Sequence, residues 1–235
     1  MAVVKVSWSG GKDSTASVLL HLKRGDKVIA VCYVPMFTDD IPFILRSHYN
    51  FILRAKKKLE RMGATVILVK GMTYYDYCMK TITRGENKGK LMGFPAPITG
   101  MCGFKNYSKE KALNNVSLGK YDYEDIGIAA DEVKRQNQLT ENKRSILVEL
   151  GKSEAYALKL CRHYNLLSPM YEEGTRDGCA LCPNGDRKRR QEWFSENPEA
   201  FDIVKDMQRK IAKSFPKRAF GLRDQKMFIE NNKIN

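Results

Sequence analysis

A chain of 235 residues suits one α/β domain with an elaborated second half, or two small lobes. Its apolar content of 43% is enough to build a core, and no apolar run approaches the roughly 18 residues of a membrane span, which argues against a helical membrane protein. The 41 Lys and Arg outnumber the 27 Asp and Glu, and a net charge of +14 favours polyanionic partners, nucleic acid or highly charged nucleotides, over acidic ones.

In chain order, Val3–Trp8 reads as a first strand and Thr15–Lys23 as a first helix. Val28–Val34 reads as a second, buried strand containing Cys32. Apolar spacing predicts a helix from Ile44 to Met62, ended by Gly63. Thr65–Val69 is a third strand, Thr73–Ile82 a helix, Lys105–Leu113 another, and Ile126–Ala130 a fourth strand. Strands separated by helices imply a doubly wound parallel sheet, whose ligand sits beyond the carboxyl ends of the strands. The alternation stops near Asn137. We therefore expect a nucleotide-binding domain over residues 1–136 and a C-terminal, largely helical region over 137–235. The latter holds a helix at Ser153–Tyr164, capped by Ser153, and two helical stretches from Gln191 to Ser214 broken near Pro198. The first residues read as a strand rather than a signal peptide, so a cytoplasmic location is expected.

The segment Ser9-Gly10-Gly11-Lys12-Asp13-Ser14 lies between the first strand and the first helix. Paired glycines let the backbone turn tightly and bring its N–H groups to an anion, and the following helix points its positive end at the same spot. Lys12 adds a cation, and Ser9 and Ser14 add hydroxyl donors. The bland alternative is a Gly-rich turn that happens to carry a lysine. The segment is not a kinase-type P-loop, since Val6 stands where that motif needs a Gly. It resembles the pyrophosphate loop of the PP-loop ATP pyrophosphatase superfamily, whose members split ATP between its α and β phosphates.

Six cysteines occur: Cys32, Cys78, Cys102, Cys161, Cys179 and Cys182. A reducing compartment disfavours a disulfide framework. In Arg176-Asp177-Gly178-Cys179-Ala180-Leu181-Cys182-Pro183, two thiols on a Gly/Pro-rich loop can face one metal, but they cannot close a four-coordinate site alone. Cys102, in Gly100-Met101-Cys102-Gly103, and Cys161, on a helix, are the candidates to complete it. A [4Fe–4S] cluster, zinc, and redox thiols without metal all stay open. Cys161 also reads as a core residue, and Cys32 and Cys78 read as buried packing residues.

Two further segments extend the resemblance. Gly127-Ile128-Ala129-Ala130-Asp131-Glu132, followed by Arg135, is similar to the Gly-Ile-Arg-Ala-Asp-Glu-x-x-Arg segment of phosphoadenosine-phosphosulfate (PAPS) reductase-like proteins. Leu160-Cys161, Leu166–Tyr171 and Gly178–Asn184 resemble the C-terminal part of the same group, which is common in phages and mobile elements. The likeness covers about residues 3 to 190 and includes similarity to the iron–sulfur enzyme of DNA phosphorothioation. It implies an adenine nucleotide alpha-hydrolase-like fold with ATP, Mg²⁺ and a [4Fe–4S] cluster as cofactors, zinc being the alternative metal. The chain departs from true PAPS reductases by keeping Lys12 and Asp13, by lacking a Glu-Cys-Gly-Leu-His tail in 228–235, and by carrying Ala129 where relatives have Arg.

The resemblance assigns roles residue by residue. Ser9, Gly10, Gly11 and Ser14 would cradle pyrophosphate, Lys12 would neutralise it, and Asp13 would orient the loop or hold Mg²⁺. Asp131 and Glu132 would bind Mg²⁺ or position the acceptor, Gly127 and Arg135 would contact nucleotide, and Asp39, with Asp40, would hold ribose or metal. Each acid also reads as a solvated loop or helix-start residue. The implied activity is adenylation of an acceptor, with release of pyrophosphate, for sulfur transfer to tRNA or DNA. The alternatives are a sulfonucleotide reductase or ATP sulfurylase-like enzyme, and a non-catalytic nucleotide- or nucleic-acid-binding module with a structural metal. Expected partners are an adenine nucleotide, a nucleic acid and a sulfur-donor protein, with no membrane; a homodimer is compatible with this reading. The basic segments Arg84–Lys90 and Arg187-Lys188-Arg189-Arg190 are the expected nucleic-acid surface.

Overall fold

The computed structural model describes residues 1–95, 102–172, 174, 178–182, 184–185 and 187–219. Of the segments singled out above, Gly100, Met101, Arg176, Asp177, Pro183 and the 228–235 tail lie outside them. The chain divides into two interleaved units. The first comprises Met1–Tyr33, Ser47–Val69 and Val116–Asp177; the second comprises Val34–Arg46, Lys70–Asn115 and Gly178–Asn235. This partition does not follow the 136/137 division expected from the sequence.

The first unit is an α/β structure built on a five-stranded, all-parallel sheet of order β3-β2-β1-β4-β5. Its strands are β1 (Val3–Ser7), β2 (Lys27–Tyr33), β3 (Thr65–Val69), β4 (Tyr123–Ile126) and β5 (Lys143–Arg144). Helices α1 (Lys12–Arg24) and α2 (Arg46–Arg61) follow β1 and β2, as a doubly wound fold requires. The chain steps outward from β1 to β2 and β3, then returns to β4 on the other side of β1. The strand order therefore reverses between β1 and β4, the place where open α/β sheets bind ligands.

Val4 and Val6 of β1 and Val28 and Ala30 of β2 are fully buried, which explains their β-branched, apolar pattern. Two short helices follow β4: α5 (Val133–Gln136), between β4 and β5, and α6 (Ile146–Glu149), after β5; α7 (Glu154–His163) comes next. Ala16 and Leu20 of α1 pack with Ile146, Leu147, Ala157 and Cys161 of α6 and α7.

The fourth strand is Tyr123–Ile126, upstream of the Ile126–Ala130 expected, and its sequence is polar for a reason. Asp125 is fully buried, and its Oδ2 meets His21 Nε2 at 3.1 Å and the Ile146 N–H at 2.7 Å. His21 Nδ1 lies 2.9 Å from Asp26 Oδ2, so a polar network links the end of α1 to β4.

The second unit packs around aromatic side chains. Its helices are α3 (Tyr74–Met79), a π-helical turn (Lys105–Glu110) running into α4 (Lys111–Asn114), α8 (Arg187–Glu196) and α9 (Pro198–Ser214). Thr73 caps α3 by accepting the Asp76 N–H at 3.0 Å. On α9, Ala200, Val204, Met207 and Ile211 recur at helical spacing and are fully buried. They join a core with Phe37, Phe43, Tyr74, Phe104, Trp193 and Phe194, in which the rings of Phe43 and Tyr74 stand 4.2 Å apart. Among the described residues no helix is long and apolar enough to cross a membrane.

Candidate functional site

The loop Ser9–Ser14 connects β1 to α1 at the reversal of strand order. Gly10 takes a left-handed φ of +79°, and a Cβ there would press on His48 and Ile52 of α2 at 3.0 Å, so glycine is required twice over. Gly11 is the N-cap of α1 and has no side-chain cap. Hydroxyls brace the turn instead: Ser14 Oγ accepts the Ser9 N–H at 3.1 Å, and Ser9 Oγ accepts the Gly11 N–H at 3.2 Å. Gly127, just after β4, lies so close to α1 that a Cβ would collide with the Ser14 backbone nitrogen.

Lys12 Nζ donates to Asp13 Oδ2 at 2.8 Å and to Glu154 Oε1 at 2.7 Å. Burial alone would lower the Lys12 pKa, but these two carboxylates outweigh it and raise it. Asp13 moves upward, through burial and then the charges of Glu154 and Glu132, against the pull of Lys12. Carboxylate oxygens of Asp13, Glu132 and Glu154 lie within 4.8 Å of one another. Asp13 Oδ1 is buried and has no hydrogen-bond partner among the described residues. An orphaned acceptor inside a carboxylate trio matches the oxygen ligands that Mg²⁺ takes.

Glu132 is held on both oxygens, by the Ala129 N–H at 3.1 Å and by Arg135 at 2.6 Å. Asp131 is exposed and caps the start of α7 by accepting the Glu154 N–H at 3.0 Å, which places it outside the trio. Ala129 is fully buried, and Arg135 is the half-exposed cation of this loop. Asp39 and Asp40 belong to the second unit, exposed on the turn closed by the Met36–Pro42 bridge.

Two contributors were not anticipated. Glu154 is the first residue of α7; its sequence signal was only an acid behind the N-cap Ser153, the ordinary helix-start pattern. Tyr171 closes the 3₁₀ turn Pro169–Tyr171, and its hydroxyl accepts the Lys12 N–H at 2.9 Å. That N–H opens α1, where an anion would also bind.

The cysteines expected to bind a metal are divided between the two units. Cys102, Cys179 and Cys182 belong to the second unit, and Cys161 to the first. Cys161 is fully buried on α7, and its thiol donates to the Lys12 carbonyl at 3.2 Å. Burial first, then the nearby Asp13 charge, pushes its pKa up to about 12, as suits a protonated packing thiol. In the second unit, Cys102 and Cys179 pack against the core that contains Cys78. The Cys182 N–H bonds the Cys179 carbonyl at 3.1 Å, and the Gly185 N–H bonds the Cys182 carbonyl at 2.8 Å, giving two consecutive turns.

The basic run on α8 supports this loop from within. Arg189 is buried and donates to the Cys179 carbonyl at 3.1 Å; Arg190 donates to the Cys182 and Gly185 carbonyls at 3.3 and 3.0 Å. Of the run expected to face nucleic acid, Arg187 and Lys188 are the exposed members. The segment Arg84–Lys90 is a largely exposed turn in the second unit, closed by the Thr81–Leu91 bridge.

Compared with family models and with curated proteins, the chain has no match.

Proposed function

We propose that the chain is a PP-loop enzyme of the PAPS reductase-like type, with an adenine nucleotide alpha-hydrolase-like first unit. It splits ATP to AMP and pyrophosphate and adenylates an acceptor, in the service of sulfur transfer to a nucleic acid. The observation that carries this reading is the Ser9–Ser14 turn at the β1/β4 reversal, with Lys12 and three carboxylates gathered beside it.

The nucleotide's β and γ phosphates would take the N–H groups that open α1, together with the Ser9 hydroxyl. An acceptor oxygen or sulfur attacks the α-phosphorus, the bond from that phosphorus to the bridging oxygen breaks, and pyrophosphate leaves. The acceptor's proton passes to solvent or to the leaving group. Lys12 stabilises the charge that builds on the leaving oxygen, an electrostatic role that needs little covalent chemistry from the protein. Asp13, Glu132 and Glu154 would hold Mg²⁺, which supplies further charge neutralisation at the phosphates. Arg135 can swing from Glu132 to a phosphate. The thiols of the second unit would hold the iron–sulfur cluster, supported by the Arg189 and Arg190 bonds to their loop.

The test is pyrophosphate release and isotope exchange between pyrophosphate and ATP. Lys12→Ala should lower turnover by ~10²–10³-fold, the usual effect of removing one stabiliser of developing charge, with the thermal melt unchanged. Unchanged nucleotide turnover would remove the loop from the mechanism. Tight, saturable binding of a sulfonucleotide without ATP cleavage would move the assignment to sulfonucleotide reduction.

A further inference from the structure

The second unit contains a fourth cysteine that the ligand set expected from sequence did not include. Cys78, on α3, is fully buried in the same core against which Cys102 and Cys179 pack, and Cys182 follows Cys179 by one turn. We propose that Cys78, Cys102, Cys179 and Cys182 are the four thiolate ligands of one [4Fe–4S] cluster, with Cys78 standing where Cys161 was expected. This rests on the reading of these thiols as a cluster site given above.

Three observations support the grouping. Tyr74, one helical turn before Cys78, shares a hydrogen bond with it and lies in the same buried core. A donor aimed at a ligand sulfur is the usual outer-sphere partner of a metal thiolate.

Zinc makes the stricter demand on spacing. A tetrahedral zinc site with metal–sulfur bonds of about 2.3 Å brings its sulfurs to about 3.8 Å from one another. Among the described residues, no three of these sulfurs lie within 4.8 Å of one another. A cubane cluster accepts sulfurs roughly 6–7 Å apart. The third observation is the support of the Cys179–Cys182 turn. Arg189 and Arg190 bond its carbonyls from one side, while the Ala180 N–H bonds the Phe43 carbonyl at 2.9 Å from the other. Two guanidinium charges beside the loop favour a net-negative thiolate cluster.

Four protein ligands leave no open iron. The cluster would then carry electrons or hold the second unit together, rather than bind a sulfide to be transferred.

The experiment is anaerobic reconstitution of the full chain with iron and sulfide, read by iron content, the absorbance near 400 nm and electron paramagnetic resonance. Wild type and Cys161→Ser should both take up about four iron per chain with the same spectra. Cys78→Ser and Cys78→Ala should lose a ligand, giving at least a twofold loss of stable iron and a three-iron signal on brief exposure to air. Because Cys78 is buried, Cys78→Val is made as well, and each apo variant is checked by thermal melting. If every Cys78 variant fails to fold, Cys161→Ser decides: retention of iron supports the assignment and loss overturns it. Iron retained in folded Cys78 variants also overturns it, with the cluster reading left standing. A wild-type chain that takes up no iron removes the cluster reading and the ligand assignment together.

Discussion

The Tyr171 hydroxyl accepts the backbone N–H of Lys12 at 2.9 Å, so a neutral side-chain oxygen fills the first donor of α1. The Lys12 ammonium also lies 5.8 Å from the centre of the Tyr171 ring. Phosphate has to compete with this hydroxyl if it is to use the same donor. Tyr171→Phe should therefore tighten ATP binding by about fivefold and lower the stability of the free protein by about 1 kcal/mol, the net worth of one hydrogen bond. Calorimetric titration and a denaturant melt check both numbers. Weaker ATP binding would mean that the hydroxyl touches the nucleotide itself.

The carboxylate trio predicts a metal dependence. Asp13→Asn and Glu154→Gln each remove one negative charge near Asp13 Oδ1, the buried acceptor without a partner. Each should raise the Mg²⁺ concentration for half-maximal pyrophosphate release by about tenfold, equivalent to ~1.4 kcal/mol. Asp131→Asn should leave that concentration unchanged, because Asp131 caps α7 instead. A Mg²⁺ titration of the three variants separates these outcomes, and equal shifts in all three would remove the trio as the metal site.

Asp26 makes acid stability legible. Burial on its own would raise its carboxyl from the ordinary 3.8. The Ala2 N–H, His21 and Arg24 outweigh that and hold it at about 2. A lowered folded-state pKa stabilises the folded chain above the unfolded value, and the effect is lost as pH falls from there toward 2. Asp26→Asn should cost about 2 kcal/mol at pH 7 and flatten the loss of stability between about pH 4 and pH 2. Urea melts across that range test it; parallel acid limbs in the two proteins would refute the linkage.

Gly127 offers a steric test. A Cβ there meets the Ser14 backbone nitrogen, which cannot move without shifting the loop, so Gly127→Ala should cost about 1–3 kcal/mol and weaken ATP binding. Gly119 is exposed, with nothing within 4 Å of an added Cβ, so Gly119→Ala is a control expected to be neutral or slightly stabilising. A thermal melt of the pair is sufficient.

The parts of this protein that sequence reveals are those set by local periodicity. β1, β2, β3 and the long helix α2 follow apolar spacing, and the glycines of the first loop announce a turn that only they can make. β4 was displaced because its buried face carries a charge: Asp125 Oδ2 is held by His21 and by the Ile146 N–H, both more than 20 residues away along the chain. Glu154 and Tyr171 reach Lys12 from 142 and 159 residues away, and nothing local marks them. Cys78 and Cys161 both lie on helices among apolar neighbours, and only tertiary packing separates the one in the core that Cys102 and Cys179 pack against from the one beside the Lys12 carbonyl. Arg189 and Arg190 look like solvated charge in sequence, yet their guanidinium groups end on loop carbonyls.

That last difference gives a test of nucleic-acid docking. Had all four basic residues of α8 faced solvent, charge reversal at any of them would have weakened nucleic-acid binding alike. With Arg189 and Arg190 bonded to the Cys179–Gly185 loop, their reversal should instead lower stability, because the half-buried loop carbonyls lose charged donors worth about 1.5–3 kcal/mol each. The exposed pair Arg187 and Lys188 is the place to test docking. Arg187→Glu with Lys188→Glu should leave the melt within about 0.5 kcal/mol of wild type. Affinity for tRNA or duplex DNA should fall about equally for all sequences, and the dependence of log affinity on log salt should become shallower by about one for each phosphate no longer neutralised. Gel-shift titrations at two salt concentrations read both effects. Unchanged binding and an unchanged salt slope in the double variant would place any nucleic-acid surface elsewhere, with the exposed Arg84–Lys90 turn the next segment to reverse.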